Sequence, residues 1–346
     1  MKQSAPLNVC LAALLFATIG GMAVGNKALA EDQITHVVFR SAFPPSGSLT
    51  APFAYAAELG LYKSVGLDVA IEDGIGALAT AKDVAAGNTD IGLVAGSALA
   101  QGIAGGMKII SVGMLYGRSS FGVIVPNDSP ITSIKSLKGH SIITSPGSAE
   151  TILLPASLNA VGLSTSDVDI LSVAATAKVS TYIQGKADAL GTSLPFFLPI
   201  IGNARPSRGV LFGSVGAGFP DFSLVVRTDY LKKNPKVVAS FLRATYQGLK
   251  RALDNPDAAV AALMKTRQQL TKPEPQVQQL AAFKEYVCSD GMQGHPVGWH
   301  SSKEWQAGLH VLAEFGGLKG QLDNPERFYT NQFFEGSAPV SGNWAC

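Results

Sequence analysis

The stretch Leu67–Val94, LDVAIEDGIGALATAKDVAAGNTDIGLV, contains the repeating unit of this chain. The segment LDVAIED alternates apolar and polar residues with β-branched side chains, which predicts a strand. The glycine-rich turn GIG then leads into a helix that runs through Ala86 and ends at Gly87. TDIGLVA predicts a second strand. A strand, a helix and a strand in this order are typical of a parallel α/β sheet.

The same unit recurs in the second half of the chain. In both copies a helix ends at a glycine, and an aspartate three residues later opens a strand: Gly87 with Asp90, and Gly185 with Asp188. Two further segments are similar in sequence, LGLYKSVGLDVAIED at 59–73 and LNAVGLSTSDVDILSV at 158–173. Two copies of one unit predict two lobes of similar build, each a mostly parallel sheet flanked by helices.

The order of strands and helices predicts where each lobe begins and ends. Residues 33–121 form the first part of lobe 1, and 122–221 form lobe 2. The segment FSLVVR begins a return to lobe 1 over 222–346, which adds C-terminal helices. The chain therefore crosses between the lobes twice, and two crossings predict a hinge.

The first thirty residues have the order of a secretory signal peptide. Lys2 precedes the apolar stretch 11–24, and Ala28 to Ala30 offer small residues for cleavage after Ala30. A retained membrane helix is the alternative, although the stretch is short for a bilayer and is interrupted by glycines. Cys10 lies before the apolar stretch, whereas a lipid-anchor cysteine would follow it. We expect a soluble, periplasmic product.

The charge of the exported chain argues against polyanionic partners. Residues 1–30 contain two lysines and no acids, so 27 − 2 = 25 basic residues remain against 25 acidic residues. A neutral chain without a basic tract predicts no binding to nucleic acid or to an anionic membrane surface.

Two cysteines remain after cleavage, Cys288 and Cys346. An even pair in an oxidising compartment predicts a disulfide that holds the C-terminus. Two free thiols are the alternative.

Five predicted strand-to-helix turns consist of small, hydroxylated or glycine residues. They are Pro45–Ser48, Gly74–Ala77, Gly96–Ser97, Ser145–Ser148 and Gly191–Ser193. Such turns lie at the carboxyl ends of parallel strands, where free backbone N–H groups and small side chains let a ligand approach closely. A single turn of this kind is most often a helix cap, but five divided between two lobes predict a ligand cleft. In the fourth turn we expect Ser145 to cap a helix that begins at Pro146.

The residue patterns of catalytic and cofactor sites are incomplete in this sequence. A hydrolase elbow, G-x-S-x-G, lacks its first glycine around both Ser97 and Ser148. The five histidines show neither H-x-x-x-H nor H-E-x-x-H spacing, which argues against a metal site. Gly74–Ala79 fits the dinucleotide pattern, but no acid ends the next strand. We expect no cofactor, no metal and no catalysis.

Several segments resemble the solute-binding proteins of ABC importers of the nitrate, sulfonate and taurine type, which also include thiamine-pyrimidine-precursor binders. The segments are YAAELGLYKSVGLDVAIEDGIG with DVAAGNTDIGLV in lobe 1, SPITSIKSLKGHSIIT with PGSA in lobe 2, and DYLKKNPKVVASFLRATYQGLKRAL in the return. The resemblance implies the two-lobed type II periplasmic binding protein fold. It also implies a small anionic or aromatic heterocyclic solute, delivered by a monomer to a membrane permease and its ATPase. The alternatives are an exported enzyme on this fold, of thiamine-pyrimidine-synthase or serine-hydrolase type, and a sensory binding protein.

The resemblance also implies, by position, which residues contact the ligand. They are Ser41, Phe43, Ser46, Gly76 and Ser97 in lobe 1, and Ser145, Ser148, Thr192 and Ser193 in lobe 2. Phe43 offers a wall for a flat ring, or it packs under its own turn. Arg118, just before the second lobe, is the cation that we expect to bind a carboxylate or sulfonate.

Overall fold

The computed structural model describes residues 34–42, 47–320 and 322–346. The expected signal peptide and two of the expected ligand contacts, Phe43 and Ser46, lie outside these residues. The elements below belong to one unit, Ile34–Cys346.

Ten strands lie in the described part of the chain. They are β1 (Thr35–Arg40), β2 (Leu67–Glu72), β3 (Ile91–Ala95), β4 (Ile109–Met114), β5 (Phe121–Pro126), β6 (Ser141–Thr144), β7 (Asp169–Ser172), β8 (Ala189–Ser193), β9 (Ser207–Leu211) and β10 (Phe222–Arg227).

Eleven α-helices alternate with these strands or follow them, within the described residues. They are α1 (Ala51–Glu58), α2 (Ala77–Ala86), α3 (Gly96–Ala104), α4 (Ala149–Asn159), α5 (Lys178–Ile183), α6 (Leu194–Ile201), α7 (Thr228–Lys233), α8 (Pro235–Asp254), α9 (Pro256–Thr266), α10 (Pro273–Phe283) and α11 (Ser302–Glu314).

The strands form two five-stranded sheets with the same topology. The order is β2-β1-β3-β10-β4 in the first sheet and β7-β6-β8-β5-β9 in the second. β1 runs parallel to β2 and β3, whereas β10 is antiparallel to β3 and β4. In the second sheet β6 runs parallel to β7 and β8, whereas β5 is antiparallel to β8 and β9. Each sheet is therefore mostly parallel, which confirms the predicted fold class.

The antiparallel strand of each sheet is the one that begins at a crossing between the lobes. The chain leaves the first sheet after β4 and enters the second through β5, and it leaves β9 to return through β10. All but the last residue of both entering strands are buried. Their continuous apolar sequences, FGVIVP and FSLVVR, are those of strands covered on both faces.

The C-terminal helices complete the first lobe. α8 packs on α1 and carries an apolar stripe that includes Phe241 and Leu242, both fully buried. The rings of Phe39 and Phe53 stack with their centroids 4.1 Å apart, and the ring of Phe241 on α8 packs against both. Proline stands at the start of α8, α9 and α10, where its missing N–H costs no helical hydrogen bond.

A disulfide joins Cys288 to Cys346. The backbone N–H of Cys346 also donates to the carbonyl of His295. The C-terminal residues are thus fixed to the segment that follows α10.

The structure departs from the sequence predictions at two places that bear on the fold. β9 was not predicted, because SRGVL is short and contains a charged residue and a glycine. The predicted start of the fourth helix at Pro146 is wrong, since α4 begins at Ala149. Gly147 has a φ of 72°, which a helical turn cannot contain, and the carbonyl of Ser145 is occupied by the Ser148 N–H and hydroxyl.

Candidate functional site

The carboxyl ends of the parallel strands in the two sheets face each other. The first turn of α2, which follows β2, touches the turn after β6, because the N–H of Leu78 donates to the carbonyl of Gly147 at 3.2 Å. α3, which follows β3, packs on α4, which follows β6. The lobes are therefore in contact, with the predicted strand-to-helix turns between them.

Strand register brings the expected polar residues together at these ends. Arg40 of β1 pairs with Gly92 of β3, so Ser41 and Ser97 follow neighbouring strands of the first sheet. In the second sheet Ile143 of β6 pairs with Leu190 of β8. This register places Ser145 and Thr192 side by side at the carboxyl ends of these two strands.

Four of the expected ligand contacts have buried hydroxyls that find no hydrogen-bond partner among the described residues. They are the Oγ atoms of Ser41, Ser97 and Ser145 and the Oγ1 atom of Thr192. The four residues are at most 2% exposed. A buried hydroxyl nearly always has a partner in a folded protein, so these four unpartnered groups, called the orphan hydroxyls below, are unusual.

The other expected contacts have different surroundings. The hydroxyl of Ser148 is satisfied within its own turn, by the Ser145 carbonyl at 2.6 Å and the Thr151 hydroxyl at 3.0 Å. Ser193 lies 2.9 Å from Ser120, hydroxyl to hydroxyl, next to the hinge. Gly76 precedes α2 with a φ of 143°, a conformation that favours glycine.

Arg118 lies in a separate cavity of about 220 Å³, where the crossing segments meet α11. Its guanidinium is half exposed, and Nη2 is 3.6 Å from the carboxylate of Asp290. The structure therefore does not bring Arg118 together with the four orphan hydroxyls, and its ligand role stays a prediction.

A buried ion pair that the sequence did not predict lies beside β8, the central strand of the second sheet. Lys178 Nζ donates to Glu150 Oε1 at 2.8 Å, and both side chains are at most 1% exposed. Glu150 Oε2 has no partner among the described residues. A Cβ added to Gly191 would lie 3.3 Å from Glu150 Cγ, so the Glu150 side chain packs against β8 at Gly191.

A second cavity, of about 200 Å³, lies between the lobes on the Lys178 side of this pair; we call it the interlobe cavity. Lobe 2 contributes the aromatic rings of α6, and the amides of Gln276 and Gln279 lie opposite. The lining residues are Gly47, Ala175, Thr176, Lys178, Val179, Phe196, Phe197, Ile200, Leu270, Gln276 and Gln279. Gln279 joins the lobes here, because it accepts from Ser48 Oγ at 2.8 Å and donates to the carbonyl of Phe196.

Asp221 links the two segments that cross between the sheets. Its carbonyl accepts from the Gly96 N–H at 2.7 Å, and its carboxyl accepts from the Ser120 N–H at 3.0 Å. Burial raises the pKa of this carboxyl well above its usual value, which favours the neutral acid. A protonated Oδ1 can donate a hydrogen bond, and it has no partner among the described residues.

Ser111 of β4, His300 and Asn331 form a hydrogen-bonded chain that has the residue types of a hydrolase site. Ser111 Oγ is 2.6 Å from His300 Nε2, and His300 Nδ1 is 3.0 Å from Asn331 Oδ1. Ser111 is fully buried within β4, so no substrate reaches its hydroxyl. Burial also lowers the pKa of His300 to about 3, which makes it a weak base. The arrangement ties β4 to the C-terminal segment and gives the hydrolase alternative no support.

No group of three or more His, Cys, Asp or Glu side chains in the described residues is placed to hold a metal ion. None of the helices that the structure describes is both long and apolar enough to cross a bilayer.

A family model described as NMT1/THI5 like matches residues 49–259. Two relatives extend beyond that range. A Brucella abortus protein named only as a binding protein is 24% identical over 297 residues, 82% of this chain and 88% of that protein. The riboflavin-binding protein RibY of Chloroflexus aurantiacus is 22% identical over 293 residues, 83% of each chain.

The fold matches that of a solved binding protein. The alkanesulfonate-binding protein SsuA of Xanthomonas axonopodis pv. citri superposes with a TM-score of 0.68 at 15% identity, over 85% of this chain and 98% of that one. This likeness confirms the expected two-lobed architecture.

Proposed function

This chain belongs to the NMT1/THI5-like family, and from that premise we propose that it is the solute-binding receptor of an ABC importer. It captures a small solute between its two lobes and delivers it to a membrane permease and its ATPase. The chain binds without chemistry. Residues 33–121 and 222–346 act as one lobe and 122–221 as the other, and they move about the hinge beside Ser120 and Asp221.

One observation carries this proposal. The unpartnered hydroxyls of Ser41, Ser97, Ser145 and Thr192 come in pairs from two facing sheets. A ligand held between the lobes satisfies all four at once, and each lobe alone offers only two. Ligand binding is thereby coupled to closure, because a solute that bonds to both lobes stabilises their contact.

The proposed location is the periplasm, with a monomeric chain cleaved after Ala30. The bond between Cys288 and Cys346 supports an oxidising compartment, where such bonds persist. The relatives named for binding riboflavin and alkanesulfonate make flavins and sulfonates the first candidates to test on this protein.

A thermal-shift screen of the purified protein tests the proposal. The panel contains sulfonates, nitrate, bicarbonate, aromatic carboxylates, pyrimidines and flavins. A ligand at about 100 times its Kd adds roughly 2.7 kcal/mol of stability, which raises Tm measurably. We expect one chemical class to shift Tm selectively.

The matched control uses the orphan hydroxyls themselves. A Ser97→Ala/Thr192→Val variant removes one contact from each lobe, so the same ligand should shift its Tm less. If no class shifts Tm, and mass spectrometry shows no ligand already bound, the receptor function is wrong. Hydrolysis of an ester panel, retained by Ser97→Ala, would instead point to an enzyme with another nucleophile.

A further inference from the structure

Resting on the proposed function, we propose that Glu150 recognises a hydrogen-bond donor on the solute. The ligand class is then a flat or apolar molecule with an N–H group, such as an aminopyrimidine or a ring imide, and not a bare oxyanion.

Glu150 is in the first turn of α4 and is fully buried. One oxygen, Oε1, accepts from Lys178, and the other, Oε2, has no donor among the described residues. An ionised carboxylate can only accept hydrogen bonds, and leaving such an oxygen buried and unbonded is costly. In the proposed complex an N–H group of the solute supplies this donor.

The unbonded oxygen itself defines what a ligand needs. An ionised carboxylate oxygen can only accept, so the ligand must place an N–H group against Oε2. Nitrate or a sulfonate would place acceptor oxygens against Oε2, where two negative groups repel.

The buried cation does not favour an anion either. Lys178 Nζ is already bonded to Glu150, and it lies 4.9 Å from the centre of the Phe197 ring. The pair is neutral as a unit. Arg118, the cation of the other cavity, is paired with Asp290 and half exposed.

The interlobe cavity provides space for the body of such a ligand. It begins at Lys178 and is bounded by Phe197, Val179, Ile200 and Leu270. Aromatic and aliphatic walls of this kind bury a planar ring, whereas a small inorganic anion gains nothing from them.

The test uses pairs of probes in which methylation replaces an N–H donor, with the Glu150 variants separating the loss of the donor from the added volume. Cytosine is compared with its N,N-dimethyl derivative, and riboflavin with its imide N-methyl derivative, by isothermal titration calorimetry. Methanesulfonate and nitrate are the oxyanion probes. We expect a donor-bearing probe to bind and its N-methylated partner to bind at least about 10-fold more weakly.

The key variant is Glu150→Gln, which keeps the shape but loses the charge and presents an amide. It should weaken the donor-bearing probe about 10- to 100-fold and shrink its advantage over the methylated probe. Since this leaves Lys178 buried without its partner, the double variant Glu150→Gln/Lys178→Met provides a folded comparison, with the same loss expected. Glu285→Gln makes the same charge change at an exposed site and should leave the affinity unchanged.

The outcomes separate this inference from the receptor function. Selective binding of methanesulfonate or nitrate, unaffected by Glu150→Gln, would keep the receptor function and overturn the role of Glu150. Equal affinity of the wild type and the variants for a donor-bearing probe would also overturn it. If neither these probes nor the wider panel bind, both proposals fail together.

Discussion

Asp90 and Asp188 make the same hydrogen bond in the two lobes: each carboxylate accepts a backbone N–H of the neighbouring parallel strand. Asp90 Oδ2 accepts the backbone N–H of Val38 in β1 at 2.9 Å, and Asp188 Oδ2 accepts that of Ser141 in β6 at 2.8 Å. Each carboxylate, at the start of one parallel strand, fixes the neighbouring strand. The aspartate that recurs three residues after Gly87 and after Gly185 therefore makes the same strand-to-strand hydrogen bond in both copies.

This bond predicts a pH-dependent contribution to stability. The backbone N–H of Ser141 is the main cause that lowers the pKa of Asp188 below its usual value. A lowered pKa contributes stability that is present above the unfolded-state pKa, about 3.9, and is lost as the pH falls below it. Asp188→Asn should lower the free energy of unfolding by about 1 kcal/mol at pH 7 and by less at pH 3, as measured by urea unfolding. An equal loss at both values would contradict this, and Asp169→Asn, at an exposed position of β7, is the control.

The two serines of one turn should respond in opposite ways to the loss of their hydroxyls. Ser145→Ala removes an unpartnered hydroxyl, so it should leave the unliganded stability unchanged and weaken the ligand about 10-fold. Ser148→Ala removes the bond to the Ser145 carbonyl and should cost about 1 kcal/mol of stability. Urea unfolding and calorimetry on both variants check this, and identical effects would show that Ser145 does not face the ligand.

Gly96 has no room for a side chain where the crossings meet. A Cβ on this residue would lie 2.2 Å from the carbonyl oxygen of Pro220. Gly96→Ala should therefore lower the free energy of unfolding by about 1–3 kcal/mol, because the start of α3 and the crossing segment at Pro220 must move apart. Gly213→Ala, where the nearest atom is 3.9 Å away, is the control that should be tolerated. Equal stability of the two variants would mean that the crossings adjust freely.

His300 predicts acid sensitivity of the fold. Burial lowers its pKa to about 3, whereas an unfolded histidine titrates near pH 6.5. The unfolded chain thus binds a proton that the folded chain excludes, and stability falls as the pH decreases from 6.5 towards 3, by up to about 1.4 kcal/mol per pH unit. His300→Gln should be less stable at pH 8 but lose stability less steeply between pH 6 and 4. An unchanged slope in urea unfolding would assign the acid sensitivity to other groups.

The bond between Cys288 and Cys346 should stabilise the fold. It closes a loop of 58 residues, and its removal should cost about 2–4 kcal/mol in a chain-entropy model. Reduction should lower the Tm of the wild type to that of the Cys288→Ser/Cys346→Ser variant, and a reductant should not affect the variant. A Tm that does not respond to reduction would indicate free thiols.

The sequence by itself determined what depends on neighbours along the chain. The segments LDVAIED and TDIGLVA predicted β2 and β3, and Gly87 and Gly185 predicted the ends of two helices, because left-handed backbone favours glycine. The polar turns contain three of the four orphan hydroxyls, whereas Ser41 was assigned only through the family resemblance. β9 was missed, since its apolar pattern is too short to be distinguished from a loop.

Only the tertiary structure decided which of these groups have partners. Glu150 and Lys178 are 28 residues apart, and no local pattern shows that they pair or that one oxygen stays free. Likewise, Ser145 and Ser148 look equivalent in the sequence, yet one hydroxyl is bonded within the turn and the other is not. Strand and helix positions follow from local conformational preference, whereas the polarity of a binding site depends on contacts that form only when distant segments pack together.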